Sequence, residues 1–250
     1  MDFYESPAYS ELCKRIYGID LKQMSLVTMS ELELFFKEIQ LSPGSKILDL
    51  GCSAGHFADY ISKRYNSHVT GIDITKNRIN YAMTNFAGNI NLDFQEMDFN
   101  ELVFEPASFD LVYSFDSMYF TRTVEKIRAL LDKCMDILKP GGKLAVFWST
   151  NPSGYNPEFY AMTEPYQEYT QVGLWGTLMK IDYWTFDLTT QMREFYIRAL
   201  RECHILREQL EDEIPEVYKA IENEFSFSAD LCAKGDAGGM YRWLYIFLKP

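Results

Sequence analysis

The feature that most constrains the fold is an alternation of short apolar runs with amphipathic segments through the first 150 residues. The intervening segments place apolar side chains at i, i+3, i+4 and i+7, which is the period of a helix with one buried face. Strands and helices that alternate at this spacing predict a doubly wound α/β sheet. The five predicted strands are KILDLG, HVTGID, NLDFQEMD, FDLVYSFD and KLAVFWS.

Beyond Ser149 the pattern changes to a stretch rich in Tyr, Pro and Gly that has no clean period. A sixth strand, KIDYWTFD, is followed by two helical stretches at about 189–211 and 215–225, and the chain closes on a seventh strand, MYRWLYIFLK. The fold class predicted is therefore a Rossmann-like α/β sheet of seven strands. A helical, aromatic-rich cap is inserted after the fifth strand.

Composition limits the partners that such a chain can have. The 250 residues carry a formal charge of -12, whereas proteins that bind nucleic acid normally need a basic surface. The segment MDFYESPAYS lacks the order of a signal peptide, and no apolar run approaches the roughly 20 residues of a membrane span. The five cysteines form no C-x-x-C pair, so neither a disulfide framework nor a zinc site is indicated. We expect a cytoplasmic protein with a small-molecule substrate and no nucleic-acid or membrane partner.

The turn in ILDLGCSAGHF, residues 47–57, is the first candidate for a binding site. In open α/β sheets, ligands bind outside the carboxyl ends of the strands. Gly51 and Gly55 would let a ligand approach backbone N–H groups, and the helix that follows points its positive end at the same place. The alternative is a tight strand-to-helix turn that binds nothing.

Two acids favour a ligand at this end of the sheet. Asp73 follows Gly51 by 22 residues at the end of the second strand, where a carboxylate can accept hydrogen bonds from ribose hydroxyls. Asp98 ends the third strand, and with its neighbour Phe99 it could meet the edge and face of an adenine. Either acid could instead be an ordinary carboxylate that faces a loop.

The motifs identify a family. GCSAGH lacks two glycines of the G-x-G-x-x-G pattern, which disfavours NAD. In order and spacing, ILDLGCSAG, VTGIDIT, MDF and ILKPGGKLAVF resemble the class I S-adenosylmethionine-dependent methyltransferases over about residues 40–150. The cofactor implied is S-adenosylmethionine. Ser53 departs from the family pattern D-x-G-x-G-x-G, in which its position often holds the middle glycine.

The resemblance implies a cofactor site at the ends of the strands. In that family the acid at Asp49 and the turn through Gly55 bind around the methionine part of the cofactor. Asp73 resembles the ribose-binding acid, and Asp98 with Phe99 resembles the adenine-side pair. The full set of implied cofactor-binding residues is Asp49, Gly51, Cys52, Ser53, Gly55, Asp73, Ile74, Asp98, Phe99 and Phe115.

The acceptor region must come mostly from outside these motifs, and it is rich in aromatic rings. Rings can enclose a small molecule and stabilise a positive charge, which favours an amine acceptor. We assign no catalytic base and no metal, because a neutral amine needs little help. The expected substrate-binding residues are Tyr17, Tyr119 and Trp148, with Tyr241 and Arg242 as polar anchors. The alternatives are that the rings form the core of the cap and that Arg242 belongs to an ion pair.

These observations predict four segments and one activity. The activity is methylation of a small organic molecule. Two alternatives stay open: another use of the sulfonium, by cyclisation or aminocarboxypropyl transfer, and a protein that binds the cofactor without catalysis. The segments are a helical lid at 1–40, an S-adenosylmethionine-binding core at 41–150, a cap and substrate region at 151–235 and the final core strand at 236–250.

Overall fold

The computed structural model describes residues 3–121, 123–150, 171–235 and 239–250. Its strands are β1 (Lys46–Leu50), β2 (His68–Asp73), β3 (Leu92–Glu96), β4 (Phe109–Phe115), β5 (Leu138–Thr150), β6 (Tyr183–Asp187) and β7 (Tyr241–Leu248). Its helices are α1 (Pro7–Tyr17), α2 (Met29–Ile39), α3 (His56–Tyr65), α4 (Lys76–Asn85), α5 (Val124–Ile137), α6 (Gln171–Met179), α7 (Thr189–Ile205), α8 (Arg207–Glu213) and α9 (Pro215–Ala233). Short 3-10 helices occupy Phe3–Glu5, Phe99–Glu101 and Met118–Thr121. Within these ranges, no helix has the length and apolar character that a membrane crossing requires.

The seven strands form one sheet in the order β3-β2-β1-β4-β5-β7-β6. The pairs β1–β2, β1–β4, β2–β3 and β4–β5 are parallel. The predicted doubly wound, seven-stranded sheet is confirmed. Strand order reverses between β1 and β4, so the carboxyl ends of these two strands flank the crevice where open α/β sheets bind ligands.

The central strand β1 shows why the sheet forms as predicted. Ile47, Leu48 and Leu50 have no exposed surface, although successive side chains point to opposite faces of the sheet. A strand buried on both faces needs a nearly continuous apolar sequence, and that is the character of KILDLG. Asp49 is the exception in this run, and it lies at the end where the crevice opens.

The amphipathic pattern predicted for residues 27–39 forms α2. Thr28 begins the helix, since its N–H donates to Glu31 Oε2 at 2.8 Å and the Glu31 N–H points back to Thr28 Oγ1 at 3.4 Å. Such a reciprocal pair satisfies two donors that a helix start leaves without partners. Farther along, the Phe35 ring lies 5.1 Å from the ring of Phe115 and so covers one face of the sheet.

The described residues divide into two compact units. The helical unit comprises residues 3–33, 149–150, 187–235 and 239–243. The sheet unit comprises residues 34–121, 123–148, 171–186 and 244–250. This division differs from the four predicted segments by placing residues 34–40 and 171–186 with the sheet unit. Contacts that sequence spacing does not reveal hold them there, such as the bond from Trp184 Nε1 to Glu38 Oε2 at 3.1 Å. The division also places residues 149–150 and 239–243, which were predicted in the core, with the helical unit.

The helical unit has its own core, formed by one face each of α1, α7 and α9. The rings of Tyr17 and Phe195 lie 5.2 Å apart, and Phe225 packs at 6.2 Å from Phe195. At the start of α1, Ser6 Oγ accepts the Tyr9 N–H at 3.0 Å, and this N-cap fixes the first turn. The core explains why the N-terminal segment and the helices after β6 belong to one unit.

Two threonines at helix starts give a matched test of capping. Thr123 Oγ1 accepts the Lys126 N–H at 3.2 Å at the start of α5, whereas the Thr75 side chain makes no capping bond at the start of α4. We expect Thr123→Ala to lower the free energy of unfolding by about 1 kcal/mol and Thr75→Ala to lower it by less than about half of that. Urea unfolding of both variants checks this difference, and equal losses would contradict it.

Candidate functional site

The turn after β1 is folded against β2 by backbone hydrogen bonds. The N–H groups of Gly51 and Cys52 both donate to the Ile72 carbonyl at 2.9 Å. Gly51, Ser53 and Gly55 have φ angles of 81°, 50° and 83°. A residue with a side chain rarely adopts a positive φ, and the conformation costs roughly 1–2 kcal/mol. Ser53 therefore keeps the backbone shape that a glycine at this position of the family pattern would take.

The two glycines of the turn are explained by packing within the protein. A Cβ atom on Gly51 would lie 2.6 Å from Ser117 Cβ, and one on Gly55 would lie 2.6 Å from Phe94 Cζ. Both distances are too short for any side chain. The positive φ angles add a second reason for glycine. These glycines by themselves therefore do not indicate a ligand, and the evidence for a site must come from the polar side chains around them.

Asp73 joins the two turns that face the crevice. Its Oδ2 accepts the Ser53 N–H at 3.0 Å, and its Oδ1 accepts the Thr75 N–H at 2.8 Å. Each carboxylate oxygen can accept a further hydrogen bond. The next residue, Ile74, is 68% exposed. A carboxylate beside an open apolar surface suits the hydroxyls and flat base of a nucleoside.

Asp98 has a local structural role at the end of β3. Its Oδ1 accepts the backbone N–H of Asn100 at 2.8 Å and the Asn100 side-chain amide at 2.7 Å. These bonds cap the 3-10 helix that begins at Phe99, whose side chain is half-buried. A carboxylate that faces a loop was the alternative role that the sequence allowed for Asp98. The contacts of Asp98 and Phe99 with adenine stay predictions.

Asp49 is the most buried acid of the site, with 2% of its surface exposed. The Tyr113 hydroxyl donates to Asp49 Oδ2 at 2.6 Å. The two residues are direct partners across β1 and β4, so they lie at the switch point of the sheet. Burial raises the pKa of Asp49 to about 7, against the effect of the Tyr113 hydrogen bond and with a further contribution from the charge of Asp73.

Cys52 fills a space that Gly71 leaves open on β2. A Cβ atom on Gly71 would lie 2.8 Å from Cys52 Cβ, so the glycine admits the thiol between the strands. Burial raises the pKa of Cys52 well above its ordinary value, and the charges of Asp49 and Asp73 act in the same direction. The thiol is therefore neutral, and it serves packing rather than nucleophilic chemistry.

Phe115 lies in an aromatic cluster beneath the site. Its ring is 4.6 Å from Tyr113, 4.9 Å from Phe57 and 5.3 Å from Phe147, and 7% of its surface is exposed. These contacts make the ring part of the core of the sheet unit. The contact of Phe115 with the cofactor stays a prediction.

The predicted substrate-binding rings are buried where the structure describes them. Tyr17 packs in the core of the helical unit, and Trp148 in the sheet unit is 1% exposed. The Tyr241 ring stacks on Trp243 at 5.9 Å. The side chain of Tyr119 and the aromatic stretch at 151–170 lie outside the described part of the chain. The enclosure of an acceptor by these rings stays a prediction.

Arg242 is buried completely and forms an ion pair inside the helical unit. Its Nε donates to Glu31 Oε1 at 3.2 Å, and its Nη1 donates to Ser149 Oγ at 2.9 Å. Its backbone N–H donates to Thr189 Oγ1 at 3.1 Å. An intrachain ion pair was one of the two roles left open by the sequence. Pairing with Glu31 and burial both make Arg242 a poor anchor for a substrate carboxylate.

Tyr113 is the site residue that sequence reasoning missed. FDLVYSFD was correctly predicted as a strand, but a tyrosine within a buried strand gave no reason to expect a polar partner. The signal is the parallel register, in which Asp49 lies opposite Tyr113. Once β1 and β4 are recognised as neighbours, an acid and a phenol at equivalent depths can be paired.

Comparisons with known proteins agree with this fold. A family model described as a methyltransferase domain matches residues 47–142. The chain is 29% identical over 161 residues to a phosphoethanolamine N-methyltransferase of Plasmodium falciparum, an alignment that covers 63% of this chain and 60% of that protein.

Solved structures are similar over nearly the whole chain. One is Haemonchus contortus phosphoethanolamine N-methyltransferase 2 in complex with phosphomonomethylethanolamine and S-adenosylhomocysteine, with a TM-score of 0.75, 18% identity and coverage of 100% of this chain and 60% of that one. Another is the cyclopropane synthase MmaA2 of Mycobacterium tuberculosis, with a TM-score of 0.74, 15% identity and coverage of 99% and 95%. The chain thus has the class I methyltransferase fold, and it spans about three fifths of the length of the Plasmodium relative.

The buried ion pair makes a strong prediction about stability. Arg242→Met would leave the Glu31 charge buried without its cation, and we expect a loss of about 3–5 kcal/mol in the free energy of unfolding. Arg207→Met is the control, because Arg207 pairs with Glu211 on the surface, where the Arg207 side chain is 62% exposed. That variant should lose less than about 1 kcal/mol.

A double variant separates lost charge pairing from lost packing. Adding Glu31→Gln to Arg242→Met removes both buried charges and keeps an oxygen that can accept the Thr28 N–H, so we expect it to recover much of the stability lost in the single variant. Chemical denaturation of the three variants measures these differences. A double variant less stable than Arg242→Met would show that the ion pair is not the source of the loss.

Proposed function

Because residues 47–142 match a family model described as a methyltransferase domain and the chain has the class I fold, we propose that it is an S-adenosylmethionine-dependent methyltransferase for a small organic molecule. An amine is the favoured acceptor. The observation that carries this proposal is the pair of carboxylates at the carboxyl ends of β1 and β2, Asp49 and Asp73, beside the exposed Ile74. The Haemonchus structure holds S-adenosylhomocysteine, which supports the same cofactor class here.

The residues at the switch point fit S-adenosylmethionine. Asp73 would accept the ribose hydroxyls with the lone pairs that its two backbone contacts leave available. Ile74 would pack against the adenine, and the negative charge at Asp49 would balance positive charge on the methionine part. The turn at Gly55 ends in the N-terminus of α3, which favours a carboxylate. When bound, the cofactor supplies a methyl group on a sulfonium.

The protein's contribution to the reaction is then positioning. Methyl transfer is an in-line displacement, and the alignment of two reactants can supply on the order of 7–11 kcal/mol of the barrier. A neutral amine attacks without prior loss of a proton, so this mechanism requires no fixed base. Residues that orient the acceptor and exclude water are sufficient.

Charge in the acceptor region supports an amine without a phosphate group. Phosphate recognition generally requires Arg or Lys. Residues 151–170 contain three Glu and neither Lys nor Arg. We therefore propose an acceptor that is cationic or neutral, unlike the phosphorylated amine in the Haemonchus structure.

A cytoplasmic location is part of the proposal. All five cysteines are buried free thiols. Unpaired thiols are usual in compartments where glutathione and thioredoxin keep cysteines reduced. The acidic composition, with a formal charge of -12, suits a protein that does not bind anionic surfaces.

The activity can be tested with an acceptor panel. The protein is incubated with S-adenosylmethionine and with amines, phosphoethanolamine, phenols, carboxylic acids and thiols, and S-adenosylhomocysteine is followed by mass spectrometry. We expect turnover with one or more non-phosphorylated amines. Turnover of only phenols or acids would contradict the amine assignment, and a preference for phosphoethanolamine would contradict the charge argument. Methylthioadenosine as the product would show that another carbon of the sulfonium is used.

Cofactor binding can be tested at Asp73. Asp73→Asn keeps one oxygen for a backbone N–H but loses the charge and one acceptor, so we expect S-adenosylmethionine to bind about 10- to 100-fold more weakly. Asp93→Asn is the matched control, since Asp93 is an exposed carboxylate on β3. Calorimetry measures both affinities, and a thermal melt verifies that each variant is folded. Equal affinity for the two variants would remove Asp73 from the site.

A further inference from the structure

Asp49 is a buried acid whose side-chain hydrogen-bond donor, Tyr113, is neutral. Tyr113 has no exposed surface and Asp49 has 2%, and their side chains are joined by a hydrogen bond of 2.6 Å. Buried carboxylates are usually paired with cations or bind metals. Here the donor that reaches the acid is a neutral phenol, which can stabilise a carboxylate but cannot cancel its charge.

The charged side chain that acts on Asp49 is a second acid, Asp73. On β2 the register partner of Asp49 is Gly71, which has no side chain, and the strand ends at Asp73. From the turn, Cys52 adds a thiol that stays protonated because burial raises its pKa, with smaller contributions from the charges of Asp49 and Asp73. Phe35 on α2 contributes a ring 5.8 Å from Tyr113.

One cation acts on Cys52, and it lies on α4. Arg78 lowers the pKa of Cys52, although less than burial and the two acids raise it. Burial and the charge of Asp73 together favour the protonated form of Asp49. The described residues around the Asp49–Tyr113 pair therefore do not supply enough positive charge to stabilise the ionised form of Asp49 at neutral pH.

S-adenosylmethionine would bring that charge. Its sulfonium and ammonium groups carry two positive charges against one carboxylate, so the net charge is positive. A cation close to a buried acid favours the ionised form of the acid. The binding of such a ligand and the loss of a proton from Asp49 are then linked, and each favours the other.

We propose that Tyr113 is a positioning residue that holds Asp49 ready to ionise, and that cofactor binding releases the Asp49 proton to solvent. This inference rests on the proposed function. The O–H bond of the carboxylic acid breaks, its electron pair stays on the carboxylate, and the Tyr113 hydroxyl continues to donate to that oxygen. Methyl transfer removes the sulfonium charge, so the product binds with less stabilisation of ionised Asp49 than the substrate does.

The first test needs no cofactor. A buried acid with a raised pKa keeps its proton in the folded state after it has lost it in the unfolded state, so folding stability falls as pH rises. We expect the wild type to lose stability to urea between pH 5 and about 7 and to flatten above pH 7, where both states are ionised. Asp49→Asn should lack this loss and be the more stable protein at pH 8.

Tyr113→Phe serves as the second variant in this test. It removes the hydrogen bond that favours the ionised acid, so the pH at which stability stops falling should move upward. Tyr183→Phe is the control. The Tyr183 hydroxyl, on β6, lies 3.2 Å from the Thr177 hydroxyl on α6, and neither residue is on β1. Parallel pH profiles for wild type, Asp49→Asn and Tyr113→Phe would overturn the proposal whether or not the protein binds the cofactor.

The second test measures the proton directly. Calorimetric titration with S-adenosylmethionine at pH 7, in phosphate and in Tris, should show release of about half a proton per molecule bound, because Asp49 is then half protonated. Asp49→Asn should show no release. In Tyr113→Phe the affinity at pH 7 should fall several-fold and recover near pH 9, whereas Tyr183→Phe should match the wild type.

The outcomes separate the two proposals. Absence of proton release from the wild type, or a loss of affinity in Tyr113→Phe that is equal at every pH, would overturn the linkage while leaving the methyltransferase proposal intact. Full proton release from Asp49→Asn would assign the proton to another group and also overturn it. A wild type that does not bind S-adenosylmethionine would contradict the proposed function, and the stability profiles alone would then decide the state of Asp49.

Discussion

The arrangement of the site depends on how closely the turn after β1 approaches its neighbouring strands. At Gly51 there is no room for a Cβ atom, because Ser117 occupies that space and donates to the Leu50 carbonyl at 2.5 Å. On the other side, Asp73 accepts the Ser53 N–H at 3.0 Å. These contacts bring the ends of β1, β2 and β4 together, and they determine which side chains can reach the crevice.

The fold was predictable because its signals are local. Alternation of buried strands and amphipathic helices can be read within windows of about 11–18 residues, and the sheet has the predicted seven strands. The reason for the glycines was not local. Gly51 is required by Ser117, which follows β4, and only the strand order reveals that these segments are neighbours. Motif spacing therefore located the turn, but the contact that requires a glycine there can be seen only when the strand order of the sheet is known.

The candidate site shows the same division. Asp49 and Asp73 were found from motifs, and they lie at the carboxyl ends of the neighbouring strands β1 and β2. Tyr113 was missed because its partner is on another strand. Arg242 was predicted either to anchor a substrate or to form an ion pair, and the carboxylate that it binds in the structure is Glu31, 211 positions earlier in the chain. Residue type predicts which chemistry a side chain favours, whereas the partner is set by the fold.

The separation between Glu31 and Arg242 has a consequence for biosynthesis. Ribosomes add roughly 5–20 residues per second, so the N-terminal acid waits about 10–40 s before its partner is made. During that time Glu31 stays hydrated, and α1 lacks the helices that bury its apolar face. The helical unit can close only after the segment that holds Arg242 has been synthesised, so its apolar surfaces are candidates for chaperone binding until then.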